Sequence, residues 1–236
     1  HKGRVIGNIL IANKTIDYNE DDQKLLEAIA FHIAPLLYAK IENERERKRA
    51  EWQINITLAT EKVLREIDRM IIERRSVEDI YRVACRGALT MGYLMAWVGL
   101  AQPDHTVQPV AYEGFEEDYL RNIRIRWDDT PEGRGPTGTA IRTGKPFVMR
   151  DILRDPSFAP WRPEALLRGY RSSAAIPLQS DHQIIGALNV YSSRPDDFGP
   201  NEINSIVGFS QQVTIAIIHS RTYEELEQIR IRLQAI

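Results

Sequence analysis

Cysteine is nearly missing from this chain: Cys85 is its single thiol. That excludes an internal disulfide framework and any cysteine-rich metal site, and it suits a reducing compartment. Net charge is scarce as well, since 31 basic against 33 acidic residues leave −2. Such a balance gives no field to hold nucleic acid or an anionic membrane, so neither is expected as a partner. No uninterrupted apolar run approaches the roughly 20 residues that span a bilayer. The first residues also lack the apolar core of a signal peptide, and a soluble, cytoplasmic protein is expected. Zinc and iron patterns are missing too: His105 and His182 sit at separate turns with no companion ligands. Serines 172 and 173 lack the G-x-S-x-G elbow that would expose a nucleophile. No catalytic residue and no metal site are therefore expected, and no cofactor is assigned.

What is present has the make-up of a globular protein with a real core, 43% hydrophobic and 27% charged. It also contains an internal repeat. Arg4-VIGNILIAN-Lys14 resembles Gln183-IIGALNVYS-Ser193, with Gly7 falling on Gly186. Further on, Tyr18-NEDD resembles Phe198-GPNE, and Ile29, Ile33 and Leu37 fall on Phe209, Val213 and Ile217. Each copy reads as an alternating strand, a polar turn, a cap and a helix. In the first, Asn19 caps and Asp22 stands at N3; in the second, Gly199 caps, Pro200 takes N1 and Glu202 takes N3. The chain thus reads as the tail of one domain followed by a complete second domain, cut from a longer polypeptide that begins before His1.

Residues 20–75 read as one long helix, or two joined near Pro35, whose missing amide proton should kink or break it. His32 upstream of that proline reads as a surface histidine of the helix. Trp52, Ile56, Ala59, Val63, Ile67 and Met70 step by three and four, close to a coiled-coil seam. Upstream, Glu42-NERERKRA-Glu51 is charged all round, so a solvated connector is the alternative to a parallel dimeric coiled coil. The dimer is preferred because a helix this long cannot bury its seam on one small domain. A second long helix starts at Pro200 and runs to the end.

Between them, residues 77–91 read as an amphipathic helix. Met95-AWVGL-Ala101 and Val107-QPVA-Tyr112 form a hairpin around Pro103-Asp104. Residues 116–125 and 137–142 read as short helices, and Phe147-VM-Arg150 as a short strand. Ser172-SAAIP-Leu178 and Gln183-IIGALNV-Tyr191 form a second hairpin around Ser180-Asp181-His182. Strands in hairpin order with helices before and after predict an α+β fold: an antiparallel sheet covered by helices.

Gly133-RGPT-Gly138 matches the dinucleotide fingerprint G-x-G-x-x-G. What precedes it, Arg126-WDDTP-Glu132, is acidic and turn-rich and offers no buried strand, and Pro136 removes a donor that would face phosphate. The Rossmann reading is set aside. The glycines read instead as a loop folded tightly under a pocket, or as an anion nest at a helix start near Arg134 and Arg142. Cys85 lies on an apolar helix face and reads as a buried, inert thiol. Aromatic residues and arginines gather between the glycine loop and the second hairpin. Trp127, Arg134, Arg142, Asp151, Trp161, Arg162, Tyr170 and Ser172 are the candidate ligand-binding residues; the same cluster would serve equally as a lid packed on its own sheet.

Cys85-RGALTMGYLMAWVGL, Val110-AYEGFEEDYL, Asp129-TPEGRGPTGTAIRTGKP, Asp151-ILRDPSFAPWR, Gly169-YRSSAAIPL and Ile185-GALNVYS follow one another in an order that resembles the GAF domains of bacterial multidomain signalling proteins. The resemblance covers about residues 60–222, and Gly3 to Tyr38 resembles the end of a preceding GAF domain. It implies residues 1–40 as the strand and helix of that preceding domain, 41–60 as a coiled-coil linker, 61–222 as a complete GAF domain and 223–236 as the start of an exit signalling helix. The implied fold is profilin-like: three α/β/α layers around a central antiparallel sheet, helices on one face and a loop-enclosed pocket on the other. The implied function is a sensory module that binds an unidentified small molecule, forms a homodimer through its helices and signals to a C-terminal output domain. That output would be a histidine kinase or an enzyme of cyclic-di-GMP turnover. Cyclic-nucleotide-binding relatives carry Asn-Lys…Phe-x-x-x-Asp-Glu. Here Asn189 is followed by Val190, and Phe198 leads to Glu202 and Ile203, which departs from that pattern. A structural spacer and a GAF-type reductase of free methionine sulfoxide are the alternatives, the second calling for several cysteines around the pocket.

Overall fold

Asn19 opens the first helix by satisfying its orphan amides. Its Oδ1 accepts from Asp21 N and Asp22 N at 3.0 and 3.1 Å, while Asn19 N donates back to Asp22 Oδ2 at 2.9 Å, the reciprocal cap that the spacing predicts. The computed structural model describes residues 19–73, 75–180 and 183–234. The first-copy strand with Gly7 and Tyr18, and Asp181 and His182 of the second hairpin turn, lie outside the described residues.

Two units divide the chain, residues 1–55 and 56–236. In the first, the described element is helix α1 (Glu20–Ile72), which continues into the second. Its first turn holds Glu20, Asp21 and Asp22, which favour the positive end of the helix dipole. Pro35 sits inside α1 and the helix continues through it. Proline there removes one backbone bond, to the Phe31 carbonyl, and the bonds on either side carry the helix on.

In the second unit, α2 (Val77–Thr90) leads into a five-stranded sheet: β1 (Met95–Ala101), β2 (Val107–Gly114), β3 (Phe147–Met149), β4 (Ser172–Ser180) and β5 (Gln183–Ser192). The strand order is β2-β1-β5-β4-β3 and every pairing is antiparallel. α3 (Tyr119–Asn122), α4 (Pro136–Thr143) and α5 (Arg162–Leu167) lie in the connections between strands, and α6 (Pro200–Gln234) follows the sheet. α3 is shorter than the predicted 116–125, because Glu117 and Asp118 take φ of 40° and 62°, outside helical backbone.

Alternation along each strand assigns two cores. Ala96, Val98, Leu188 and Val190 face the layer of α2, α6 and the end of α1, where Val63, Ile67, Ile80, Ala84, Phe209, Val213 and Ile217 are buried. Gly87 sets the closeness of that layer, since a Cβ there would meet Val63 Cγ2 at 2.7 Å and Phe209 Cζ at 3.0 Å. Ile56, Val63 and Ile67 of the predicted seam are thus buried within the unit's own helical layer. Trp52, Ala59 and Met70, the other half of that seam, are half-buried. Met95, Trp97, Ala187 and Tyr191 face the other way, into a second core with Tyr119, Ile141, Met149, Phe158, Trp161 and Tyr170. The α+β, three-layer architecture around an antiparallel sheet is therefore the observed one. Among the described residues, no helix is long and apolar enough to cross a membrane.

Gly208 gives a first test of helix energetics. It lies exposed in α6 with nothing within 4 Å of an added Cβ. Gly208→Ala is expected to stabilise the chain by roughly 0.5–1 kcal/mol, because alanine loses less backbone entropy in a helix. Denaturant unfolding with an unchanged or lowered midpoint would contradict this.

Candidate ligand cavity

The stretch from Gly133 to Gly138 folds onto the sheet because three side chains are missing. A Cβ on Gly133 would lie 1.9 Å from Asp128 O, one on Gly138 would lie 2.3 Å from both Arg126 O and Gly133 O, and one on Gly135 would enter the Trp161 ring at 2.4 Å. The glycines serve close approach, with Gly135 as N-cap and Pro136 at N1 of α4, where an amide proton is dispensable. Thr137 then fastens α4 to the sheet: its Oγ1 donates to Asn189 Oδ1 at 2.7 Å, both residues buried.

Around this helix start lies a cavity of about 10 Å³, close to the smallest that holds one water. Tyr119, Ile123, Ile125, Phe158, Trp161 and Tyr191 wall it, and Gly135 to Gly138 form its floor. Three tyrosines stand against one another behind it. Tyr119 meets Tyr170 and Tyr191 edge-on at 5.3 and 5.7 Å, and Tyr170 lies 4.7 Å from Tyr191. The Tyr119 and Tyr191 hydroxyls are 3.5 Å apart, and Tyr170 donates to Phe115 O. Trp97 is fully buried on the same face, its ring resting over Gly99, where a Cβ would lie 2.5 Å from it. Its Nε1 makes no hydrogen bond, although it lies close enough to the Tyr191 hydroxyl to favour that group's ionised form.

Of the eight residues expected to contact a ligand, Trp161 lines the cavity, with Nε1 donating to Arg124 O at 2.8 Å. Tyr170 stands in the layer behind it. Trp127 packs at the edge of this core and donates Nε1 to Gln102 O at 3.0 Å. The arginines are engaged elsewhere. Arg134 pairs with Asp129 at 2.9 Å. Arg142 Nη1 donates to Trp127 O, Asp128 O and Gly133 O at 3.3, 3.0 and 3.0 Å, and so closes the glycine loop. Arg162 donates to Ile152 O and Asp155 O. Asp151 lies between Arg154 and Arg171 at 3.5 and 3.6 Å. Ser172 faces the opposite side of the sheet from Tyr191 and donates to Arg194 O at 2.6 Å. Tyr119, Tyr191, Thr137 and Trp97 were not among the expected site residues. For Trp97 and Tyr191 the signal was the odd-numbered register of β1 and β5, hidden because both faces of those strands are buried; Tyr119 and Thr137 lie on the short helices α3 and α4, where no strand register marks them.

Electrostatically the cavity is neutral. Burial pushes the Tyr119 hydroxyl well above its ordinary value of 10.0, with the neighbouring Tyr191 hydroxyl adding to the rise. Burial also raises Tyr191, against the lowering effect of its contacts with Tyr119 and Trp97. Both groups hold their proton longer in the native state than in the unfolded chain. Their contribution to stability is complete below about pH 10 and is lost as pH rises above it, by about 1.4 kcal/mol per pH unit for each phenol. Denaturant unfolding at pH 9, 10 and 11 should show a midpoint that holds and then drops. An unchanged midpoint at pH 11 would contradict the assignment. Among the described residues, no group of three or more His, Cys, Asp or Glu side chains is placed to hold a metal ion.

The sequence profile of the GAF domain matches residues 74–218. No curated protein matches the chain. Among solved structures, the chain is similar to the GAF domain of a phosphoenolpyruvate-protein phosphotransferase from Coxiella burnetii, with 17% identity, a TM-score of 0.57, and 73% of this chain and 98% of that one covered. It is similar to the GAF domain from the Acinetobacter phosphoenolpyruvate-protein phosphotransferase, with 16% identity, a TM-score of 0.54, and coverage of 70% and 97%. It also resembles free methionine-R-sulfoxide reductase from Neisseria meningitidis in complex with its substrate, with 20% identity, a TM-score of 0.54, and coverage of 70% and 91%. At these identities the likeness is one of fold. The profile match, spanning more than half the chain and the whole of the sheet, establishes that this chain belongs to the GAF domain family.

Proposed function

We propose that the chain is the sensory module of a longer cytoplasmic signalling protein, in which a small molecule on the α4 face of the sheet biases the helices on the other face. The reading extends to a homodimer paired through α6 and the end of α1, and to an output domain beyond α6. One observation carries it. α6 is buried at Ile206, Phe209, Val213 and Ile217, yet past Ser220 it exposes Leu226, Ile229, Ile231 and Leu233 at 52–69%. A helix that leaves its domain with apolar residues uncovered fits a partner helix of the same kind. The exit is also fastened to the start of α2: Glu224 Oε1 accepts from Val77 N at 3.3 Å, and Arg221 donates to the Tyr81 hydroxyl at 2.6 Å. A shift of α6 would therefore be felt at α2 and at β1 and β2, which α2 covers.

Single cysteines at Leu226 and Ile229 test the dimer by oxidative cross-linking. Symmetric inter-chain disulfides at both positions support it, and a monomer in sedimentation with no cross-link at either sinks it. The similarity to a methionine sulfoxide reductase does not extend the reading to that chemistry. Cys85 lies on α2, on the helical side of the sheet, and burial pushes its thiol far above the usual range. A second reading, a dimerising spacer without a ligand, is favoured by the small volume of the cavity.

A further inference from the structure

We propose that Arg221 and Glu224 form a latch that holds the exit segment of α6, residues 221–234, against the start of α2, and that Ser76 is its counterpart, taking over the cap of α2 when the latch opens. The inference rests on the reading of α6 as the helix that carries the signal and adds the device that gates it.

The first argument is where packing ends. α6 is buried at intervals up to Ser220, and from 221 to 234 no residue is buried. A cleft of about 240 Å³ lies between this segment and Ile71 and Arg75 at the junction of α1 and α2. Two polar contacts tie the segment to α2: Arg221 Nη2 donates to the Tyr81 hydroxyl at 2.6 Å, and Glu224 Oε1 accepts from Val77 N at 3.3 Å. Arg221 and Glu224 stand three apart on α6, and Val77 and Tyr81 four apart on α2, so each pair shares one helix face. Together the contacts fix register as well as proximity, since a slip of one turn along α2 breaks both.

The second argument is an unused cap. Ser76 holds the N-cap place of α2 with extended backbone (φ −65°, ψ 155°) and a preferred residue type, yet its side chain makes no capping hydrogen bond. The first helical amide, Val77 N, is met by Glu224 instead, a carboxylate at the positive end of the helix. The two acceptors are alternatives of similar worth: a serine cap shifts a helix equilibrium by a factor of about five, and a carboxylate at a helix start by about as much. Rotation of the Ser76 hydroxyl toward the Glu78 amide offsets the loss of Glu224, so α2 keeps a capped start whether or not the exit segment is docked.

The third argument is charge. On leaving Tyr81, Arg221 has Glu224 and Glu225 three and four residues on along its own helix. Glu224 shares the cleft with Arg75 and His219. Opening therefore strands neither ion, and the Tyr81 hydroxyl turns to water. With each closed contact matched by a local one, the two arrangements lie close in free energy, which is what a switch requires. Closed, the latch gives the exposed Leu226 and Ile229 one fixed bearing on the domain; open, it lets them turn.

Pulsed EPR distances within one chain test this. Spin labels go on Arg82→Cys of α2 and Arg232→Cys of the exit segment, both exposed, while Cys85 is fully buried; labelled chain is diluted into an excess of unlabelled chain. Arg221→Met with Glu224→Ala should raise the ratio of open to closed distances at least about fivefold. Ser76→Ala added to that pair should lower the ratio again by about fivefold, and alone it should leave the melting temperature of the parent unchanged. Equal distance distributions in the parent and the double variant overturn the latch. A ratio indifferent to Ser76→Ala overturns the exchange of caps, as does a Ser76→Ala melt about 3 °C below the parent, the mark of a cap already in use. Because the distance lies within a single chain, a protein that shows the latch but no cross-link at Leu226 or Ile229 overturns the dimeric relay and leaves the latch standing.

Discussion

Arg168→Met should lower stability by roughly 3–5 kcal/mol, the range for removing one partner from a buried charged network. That corresponds to a melting temperature reduced by about 10 °C for a unit of this size. Arg168 is 6% exposed and donates in four directions: to Glu116 O at 2.7 Å, to Glu117 O, and to Glu164 O and Oε2 at 2.9 and 2.7 Å. What it secures is a turn that does not form cheaply. Glu117 and Asp118 both take positive φ, which costs each of them about 1 kcal/mol or more. The Glu116 carboxylate supports the same turn by accepting from Asp118 N and Leu120 N at 2.9 and 2.5 Å. Arg168 also lies 5.6 Å from the centre of the Tyr119 ring, so losing it loosens a wall of the cavity as well as the turn. Arg168→Lys should recover less than half of the loss, because an ammonium cannot match the fixed fork of a guanidinium. Arg154→Met is the control: its ion pair is 86% exposed on the arginine side, and no more than about 0.5 kcal/mol should change. Thermal melts of the three variants decide the matter, and an Arg168→Met melt within 3 °C of the parent, about the shift from 1 kcal/mol, would refute it.

Gly138→Ala is expected to cost about 3 kcal/mol or more, at or beyond the upper end for overpacking. The two atoms its Cβ would strike at 2.3 Å are backbone oxygens, of Arg126 and Gly133. Neither can retreat easily. Gly133 O accepts from Arg142, and Arg126 is held by its bridge to Thr106 and by the Asp128 carboxylate at 2.5 Å. Gly135→Ala should cost less, because the obstacle is the Trp161 side chain, which can rotate away; its mark should be a changed cavity more than a lost fold. Urea unfolding of both variants checks the order, and a Gly138→Ala midpoint equal to that of Gly135→Ala would contradict it.

Strand positions were legible because alternation and turn chemistry agree locally. Met95–Ala101 is found where the pattern puts it, and both hairpins pair as expected. The cap at Asn19 was readable for the same reason: all its parts lie within four residues. α5 was not, since it spans six residues, starts behind Trp161 without a side-chain cap, and owes its place to packing. The site was harder still. A sequence displays an arginine's charge, yet whether Arg142 meets a ligand or three loop carbonyls depends on where residues 127–133 fold back. Trp97 went unnoticed as a polar group because in sequence it is one more apolar residue in a buried strand, and its unpaired N–H exists only in three dimensions.

The four tryptophans are unevenly placed, and that makes the chain its own optical probe. Trp97, Trp127 and Trp161 all belong to the core on the α4 face, while Trp52 stands on α1 in the first unit. With Trp52 replaced by phenylalanine, every photon of indole emission would originate on that face. Tyr119, Tyr170 and Tyr191 beside them would feed excitation into Trp97 and Trp161. Colour and intensity of the emitted light would then report rearrangement of the cavity wall without any attached dye.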